Sequence, residues 1–137
     1  MAHWLFKTEP SEYSYADLAR DQRVVWEGVS NNTALIHLRA VQKGDTVVVY
    51  HSGKDKAAVG LAMVTRSAYP DPKRGDAKRV VVDLKPVRAF AISVPLADFR
   101  SDAILKSTEL VRITRLSVMP LTPAHHARVL ERGGVTP

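Results

Sequence analysis

Trp4-Leu5-Phe6-Lys7-Thr8-Glu9-Pro10 decides how the chain is read. Three bulky apolar residues suit a pleated, buried strand. The run then turns polar and stops at Pro10, which has no amide proton to continue a sheet. Lys7, Thr8 and Glu9 therefore fall where a buried strand ends, placing a cation, a hydroxyl and a carboxylate at the lip of a core. An apolar wall with a few convergent polar groups is what a small binding pocket needs. Taken alone, the seven residues fit a plain solvated loop better than a pocket.

Outward from this stretch, the bulk numbers narrow the field. The chain has 137 residues, which fits one domain spanning 1–137, and its apolar fraction of 45% is enough for a single core. It has no cysteine, which excludes a disulfide framework, a thiolate zinc site and a cysteine nucleophile. That composition suits a cytoplasmic protein. No basic segment followed by an apolar run opens the chain, so no signal peptide is expected, and no apolar stretch approaches a membrane span. Twenty Lys and Arg against fourteen Asp and Glu give a net charge of +6, which favours polyanionic partners.

In chain order, Ser14 caps a short helix over Tyr15 to Arg20, with Asp17 completing its first turn. Val24-Val25-Trp26 is a brief extended piece. Gly28 turns the chain, and Ser30 or Asn31 caps a helix over Asn32 to Gln42. Ala34, Leu35, Leu38 and Val41 form its inner face, leaving His37 and Arg39 outward. Thr46 to Tyr50 is a strand by its β-branched content, and Ala57 to Thr65 is the return strand. Within it, small Gly60 and Ala62 invite a close approach by a helix or a ligand. Tyr69 to Arg79 is a turn-rich basic loop. A further strand follows to Phe90, bent or interrupted at Pro86. Val94 to Phe99 reads as a helical turn, Ser101 to Lys106 as a second short helix, and Leu110 to Ile113 as strand or turn. Leu116 to Leu121 is a final strand. Thr122 and Pro123 open the last helix, which ends at Gly133-Gly134.

The expected fold class is thus α+β. Five to six strands with short helices form a mixed sheet that curls toward a barrel. No βαβ series or glycine-rich phosphate loop appears, which argues against dinucleotide and P-loop folds.

The chemistry-bearing positions each carry two readings. Trp26 can offer a ring face to a planar ligand, where stacking on a base is worth about 1–3 kcal/mol; equally, it can pack in the core. Tyr50-His51-Ser52 ends a strand in polar residues, as Lys7-Thr8-Glu9 does, so both could face one opening. Successive side chains on a strand point to opposite faces, so His51 and Ser52 are poorly placed as a nucleophile–base pair. The histidines lack metal-site spacing, and neither a metal nor another cofactor is called for. Lys73, Arg74, Lys78, Arg79, Arg112 and Arg115 supply charge that could position a phosphate backbone.

Several pieces together resemble the EVE domain, a branch of the PUA-like superfamily that includes the thymocyte nuclear protein type. They are Trp4–Pro10, Trp26-Glu27-Gly28-Val29-Ser30-Asn31, Leu38-Arg39, Lys43-Gly44-Asp45, Tyr50-His51-Ser52, Val59-Gly60-Leu61-Ala62, Ala68-Tyr69-Pro70-Asp71-Pro72 and Arg115 to Leu121. They occur in the family's order over nearly the whole chain. The resemblance implies a PUA-like pseudo-barrel related to YTH domains, and a non-enzymatic module that binds a modified, methylated base in DNA or RNA. A base would leave its stack and meet an aromatic face, Trp26. Lys7, Thr8 and Glu9 would read its polar edges, Tyr50, His51 and Ser52 would line the opposite wall, and Asn31 and Arg115 would lie nearby. The chain departs from the family's pattern at Thr8, commonly serine, and at Ser30 and Leu35, where arginines are usual. Two other functions stay open: an enzyme or binder acting on a nucleotide-like small molecule in the same pocket, with Glu9 or His51 as the candidate general base, or a protein-interaction domain with a vestigial pocket, to which the missing cations give weight.

Overall fold

The computed structural model describes residues 1–75 and 78–135. Its strands are β1 (His3–Thr8), β2 (Val24–Trp26), β3 (Thr46–His51), β4 (Ala57–Pro70), β5 (Val80–Pro95) and β6 (Val118–Leu121). They form one mixed sheet in the order β2-β5-β4-β3-β1-β6. At its centre β1 runs parallel to β3, with Lys7 opposite Tyr50 and Thr8 opposite His51. The two polar strand ends that stood apart in sequence are therefore neighbours. All other pairings are antiparallel.

The sheet curls on itself. β2 lies four places from β1 in strand order, yet the Trp26 ring sits 5.6 Å from that of Phe6. Bulges supply the curvature: the β4–β5 register shifts at four places, and one of them lets Pro86 sit opposite Ala62. Pro86 thus does not interrupt β5, which continues to Pro95, and β4 extends past Thr65 to take in Tyr69 and Pro70. Both strands are longer than their β-branched runs because the bulges absorb residues that fit a regular ladder poorly.

Among the described residues, five α-helices pack around this sheet: α1 (Tyr15–Asp21), α2 (Asn32–Ala40), α3 (Leu96–Ser101), α4 (Glu109–Arg112) and α5 (Pro123–Arg132). Ser14 and Asp17 form a capping box on α1, Asn31 accepts from the Ala34 amide at the start of α2, and Thr122 caps α5 ahead of Pro123. Leu110 to Arg112, expected as strand or turn, lies in α4, where Leu110 is buried. The second short helix is a 3₁₀ turn at Leu105–Ser107, later than expected, because the Asp102 carboxylate accepts from the Ile104 and Leu105 amides and sets its start. His37 is half-buried rather than outward, lying 3.5 Å from the Glu109 carboxylate.

The core runs from Leu5 and Phe6 through Leu18, Leu38 and Val47 to Phe99, Met119 and Leu130, all essentially inaccessible. Asp45 ties the start of β1 to it. Its buried carboxylate accepts from the Ala2 and Gln42 amides and from the Trp4 indole. On β4, a side chain at Gly60 would collide with the Tyr15 ring, so the close approach foreseen there is made by α1.

Candidate nucleic-acid interface

The end of β1 determines the geometry. Alternation sends Lys7 and Thr8 to opposite faces of the sheet, and the parallel register gives each a matching neighbour on β3. The residues expected to share one pocket are thereby divided between two clefts.

The first cleft, of about 330 Å³, opens at the seam where β2 approaches β1. Thr8, Tyr13, Val24 and Trp26 form its walls, and Glu12 and Glu27 stand at its polar side. Its size lies at the small end of ligand pockets, about 300–1,000 Å³. Trp26 is only 8% exposed: Phe6 packs obliquely on it and Tyr13 meets it edge-on at 6.5 Å. It is therefore both core and wall, the two readings that its sequence position left open. The short β1–α1 loop fixes the opposite side. The Thr8 hydroxyl donates to the Tyr13 carbonyl at 2.7 Å, and the Tyr13 hydroxyl donates to Asp21. Burial, then the Asp21 hydrogen bond, pushes the Tyr13 hydroxyl up to about 12, so it stays protonated and keeps donating.

The second cleft, of about 310 Å³, lies on the other face. Lys7, Tyr50 and Ser52 line it with Lys56 and Arg100. Lys7 donates to the Thr114 carbonyl at 2.9 Å, and burial lowers its ammonium below the ordinary lysine value.

The remaining expected residues have other neighbours. Glu9 lines neither cleft: one carboxylate oxygen accepts from the Ser11 amide and hydroxyl, and the other lies against Gly53. His51 is 9% exposed; its Nε2 accepts the Tyr15 amide proton and its Nδ1 faces Asp55 at 3.2 Å. That arrangement places the ring proton on Nδ1 and engages both nitrogens. Asn31 caps α2, and Arg115 is exposed next to Thr114. Lys73 reaches from the β4–β5 connection to pair with Glu27 at 3.2 Å, bringing a cation to the rim of the Trp26 cleft. Arg74 is exposed beside it; the Lys78 and Arg79 carbonyls accept from Arg39 and the Asp71 amide. Asp76 and Ala77 of the expected basic loop lie outside the described residues. Arg112 borders a third hollow, near His125, on a different element from the Lys73 loop.

That hollow holds a serine–histidine contact that sequence spacing did not reveal: Ser107 Oγ lies 2.8 Å from His125 Nε2. It is not a nucleophile–base pair. The Thr122 amide donates to His125 Nδ1, leaving the proton on Nε2, which therefore donates to the serine. The Ser107 proton in turn goes to the Ile104 carbonyl. Among the described residues, no group of three or more His, Asp or Glu is placed to hold a metal, and no helix is long and apolar enough to cross a membrane.

Glu12 and Tyr13 were not among the expected site residues. The signal for them was the brevity of the segment between Pro10 and Ser14, which cannot carry Tyr13 far from the end of β1.

Comparison with known proteins adds to this geometry. The EVE domain model matches residues 2–132. A Rhodopseudomonas palustris protein solved by NMR superposes with a TM-score of 0.92 at 36% identity, covering 98% of this chain and 94% of that one. Human THYN1 protein, solved in complex with DNA containing 5-methylcytosine, superposes with a TM-score of 0.89 at 30% identity, with full coverage of both chains. In full-length comparison, human thymocyte nuclear protein 1 is 31% identical over 88% of this chain, which spans 69% of that relative. A Zymomonas mobilis ASCH protein, at 10% identity and a TM-score of 0.60, shares the fold alone.

Proposed function

The chain belongs to the EVE domain family, and from that premise we propose that it is a non-enzymatic nucleic-acid-binding module that takes a modified, methylated base into the Trp26 cleft. The observation that carries this reading is the wall itself: an aromatic ring, held by Phe6 and Tyr13, borders a hollow of single-base scale at the barrel seam. Glu12 and Glu27 sit where a carboxylate can accept from the exocyclic amine of cytosine or adenine, and Thr8 and Tyr13 define the space around an added methyl group. The edge-reading role expected of Glu9 passes to these two glutamates. Lys73, paired with Glu27 at the rim, and its exposed neighbour in sequence Arg74 are proposed to hold the backbone. The human relative's complex with 5-methylcytosine DNA makes that base the first to try. RNA is the second substrate class, since an unstacked base in a single strand reaches the cleft without the cost of unpairing. The non-enzymatic part is supported by the tautomers of His51 and His125, neither of which is free to act as a base toward its serine neighbour. The cysteine-free composition supports work in the cytoplasm.

The test is binding to matched single- and double-stranded DNA and RNA carrying cytosine, 5-methylcytosine, 5-hydroxymethylcytosine or N6-methyladenine at two salt concentrations. Wild type is compared with Trp26→Ala and, since the ring is also core, Trp26→Phe, each checked for folding. The expected result is a preference for one modified base that Trp26→Ala removes and Trp26→Phe weakens. Binding that ignores the modification, fades with salt and survives in a folded Trp26→Ala protein would reduce the interaction to charge.

A further inference from the structure

We propose that the cleft on the opposite face of β1 is a phosphate-binding site formed by Lys7, Lys56, Arg100, Tyr50 and Ser52. This goes beyond the base-reading function and stands on its own geometry. The lining contains three cations and no carboxylate. Among the described residues neither Lys56 nor Arg100 has an ion-pair or hydrogen-bonding side-chain partner, and Lys7 gives only one of its three protons, to the Thr114 carbonyl. The nearby carboxylates are engaged elsewhere: Glu9 by Ser11, Asp55 facing His51, and Asp98 by Arg132. Elsewhere, Lys73 is paired with Glu27, Arg20 with Asp17 and Asp21, and Arg128 and Arg132 with Asp102. Gathering unmatched like charges in one hollow is unfavourable until an anion enters.

The neutral groups point to an oxyanion with several acceptor oxygens. Tyr50 is 3% exposed at the end of β3, braced by Phe99 edge-on, and its hydroxyl has no partner among the described residues. Burial raises its pKa against the pull of Arg100, which keeps the hydroxyl a donor. Ser52 adds a second hydroxyl. Ammonium groups, a guanidinium and two hydroxyls converging on one hollow suit a phosphate group better than a planar carboxylate.

Two sources share this chemistry. Lys7 and Thr8 are consecutive, about 3.8 Å apart at Cα, so one strand could place a base in the Trp26 cleft and a flanking phosphodiester here. A free phosphorylated small molecule could fill the same site.

The experiment is a heteronuclear NMR titration with inorganic phosphate at constant ionic strength, following the amides of Ser52, Gly53 and Thr114 and the Trp26 indole. Wild type is compared with the double variant Lys56→Ser/Arg100→Ser, whose exposed positions leave the fold intact, and with Tyr50→Phe. The site predicts saturable shifts at the three amides, a still indole, at least tenfold weaker binding in the double variant and a smaller loss in Tyr50→Phe. Absent shifts, or shifts of equal affinity in wild type and double variant, would overturn it. A second arm measures the salt dependence of oligonucleotide binding. If the double variant lowers the slope by about two while the base preference persists, the phosphate belongs to the strand. If phosphate binding falls while oligonucleotide binding is unchanged, the ligand is a free phosphorylated molecule. Failure of the Trp26 experiment removes the base-preference comparison but leaves the phosphate titration and the salt slope intact, so the two claims can fail separately.

Discussion

Thr8 faces a cleft walled by Trp26 and Tyr13, with glutamates at its polar side; Lys7, the residue before it, faces one ringed by Lys56 and Arg100. The clefts are close in size and sit back to back on the same strand end. Their difference comes from strand alternation and from what each face packs against. On the Thr8 face the sheet closes on β2 and the β1–α1 loop, which bring aromatic rings and carboxylates. On the Lys7 face the strand end is flanked by the β3–β4 turn, α3 and α4, whose cations join the phenol of Tyr50 on β3. One face thus holds groups suited to a base edge and the other groups suited to a phosphate, without either having to serve both.

The largest separation of the two should come from Asp102. It ends α3, the helix that carries Arg100, and is held from α5 by Arg128 and Arg132, each donating at 2.8 Å. Burial would raise its carboxyl, but the two guanidinium hydrogen bonds and the Ile104 and Leu105 amides outweigh that and hold it well below the usual carboxylate range. Since the folded value is depressed, the stabilisation is fully present above the unfolded value of about 3.9 and is lost as pH falls from there through the folded value. Asp102→Asn should cost about 3 kcal/mol at neutral pH, since two arginines lose their shared buried carboxylate and keep only the more exposed Glu131 and Asp98, and lower Tm by about 10 °C. Thermal melts between pH 7 and 2 should show a steep acid limb below about pH 4 in wild type and a flatter one in the variant. Phosphate binding should weaken while base preference is kept. Equal damage to both ligands would mean that the faces are not independent.

Asp102 also marks what the sequence could and could not say. Its partners lie 26 and 30 residues away, and nothing local distinguishes it from a surface aspartate. By contrast, Ser14, Asn31 and Thr122 accept from amides within their own first helical turn, and Pro123 presets the backbone at the start of α5, so the helix starts were legible. β1 and β3 were legible because bulky and β-branched residues fill them. The far parts of β4 and β5 were not, because bulges let Pro86, Ser67 and Arg66 belong to a sheet. The curl toward a barrel and the aromatic at Trp26 were read from the residues, and the family resemblance added the PUA-like assignment and the role of base face. The division of the site was available in principle: alternation had been applied to His51 and Ser52, and the same rule separates Lys7 from Thr8. What it could not supply was the occupant of each face, since Tyr13, Lys56 and Arg100 come from three other segments.

A mirror-image perturbation acts through Gly60. A methyl group there would run into the Tyr15 ring, whose hydroxyl donates to the Leu61 carbonyl at 2.7 Å. Tyr15 opens α1, the helix behind the loop that carries Tyr13. Gly60→Ala should therefore displace α1, destabilise the fold by about 2 kcal/mol and weaken base binding, while leaving the phosphate titration at Ser52, Gly53 and Thr114 unchanged. Chemical denaturation gives the first quantity and the two binding assays the others. A loss confined to phosphate binding would reverse the assignment of the faces.

The smallest expected effect is the most discriminating, because it alters one hydrogen bond at the dividing line. Thr8→Val keeps the shape of the side chain and its preference for extended backbone, but removes the proton given to the Tyr13 carbonyl. The cost should be about 1 kcal/mol, small enough for the protein to remain folded. The loop would keep its Glu9 turn and the Tyr13–Asp21 bond and lose its tie to the strand. If Tyr13 helps to shape the base cleft, selectivity between methylated and unmodified cytosine should fall several-fold, with overall affinity changed less. Lys7, one residue earlier, should hold phosphate as before. Unchanged selectivity in Thr8→Val would show that Trp26 and the glutamates read the base without the loop, and would confine the recognition surface to β2 and its neighbours.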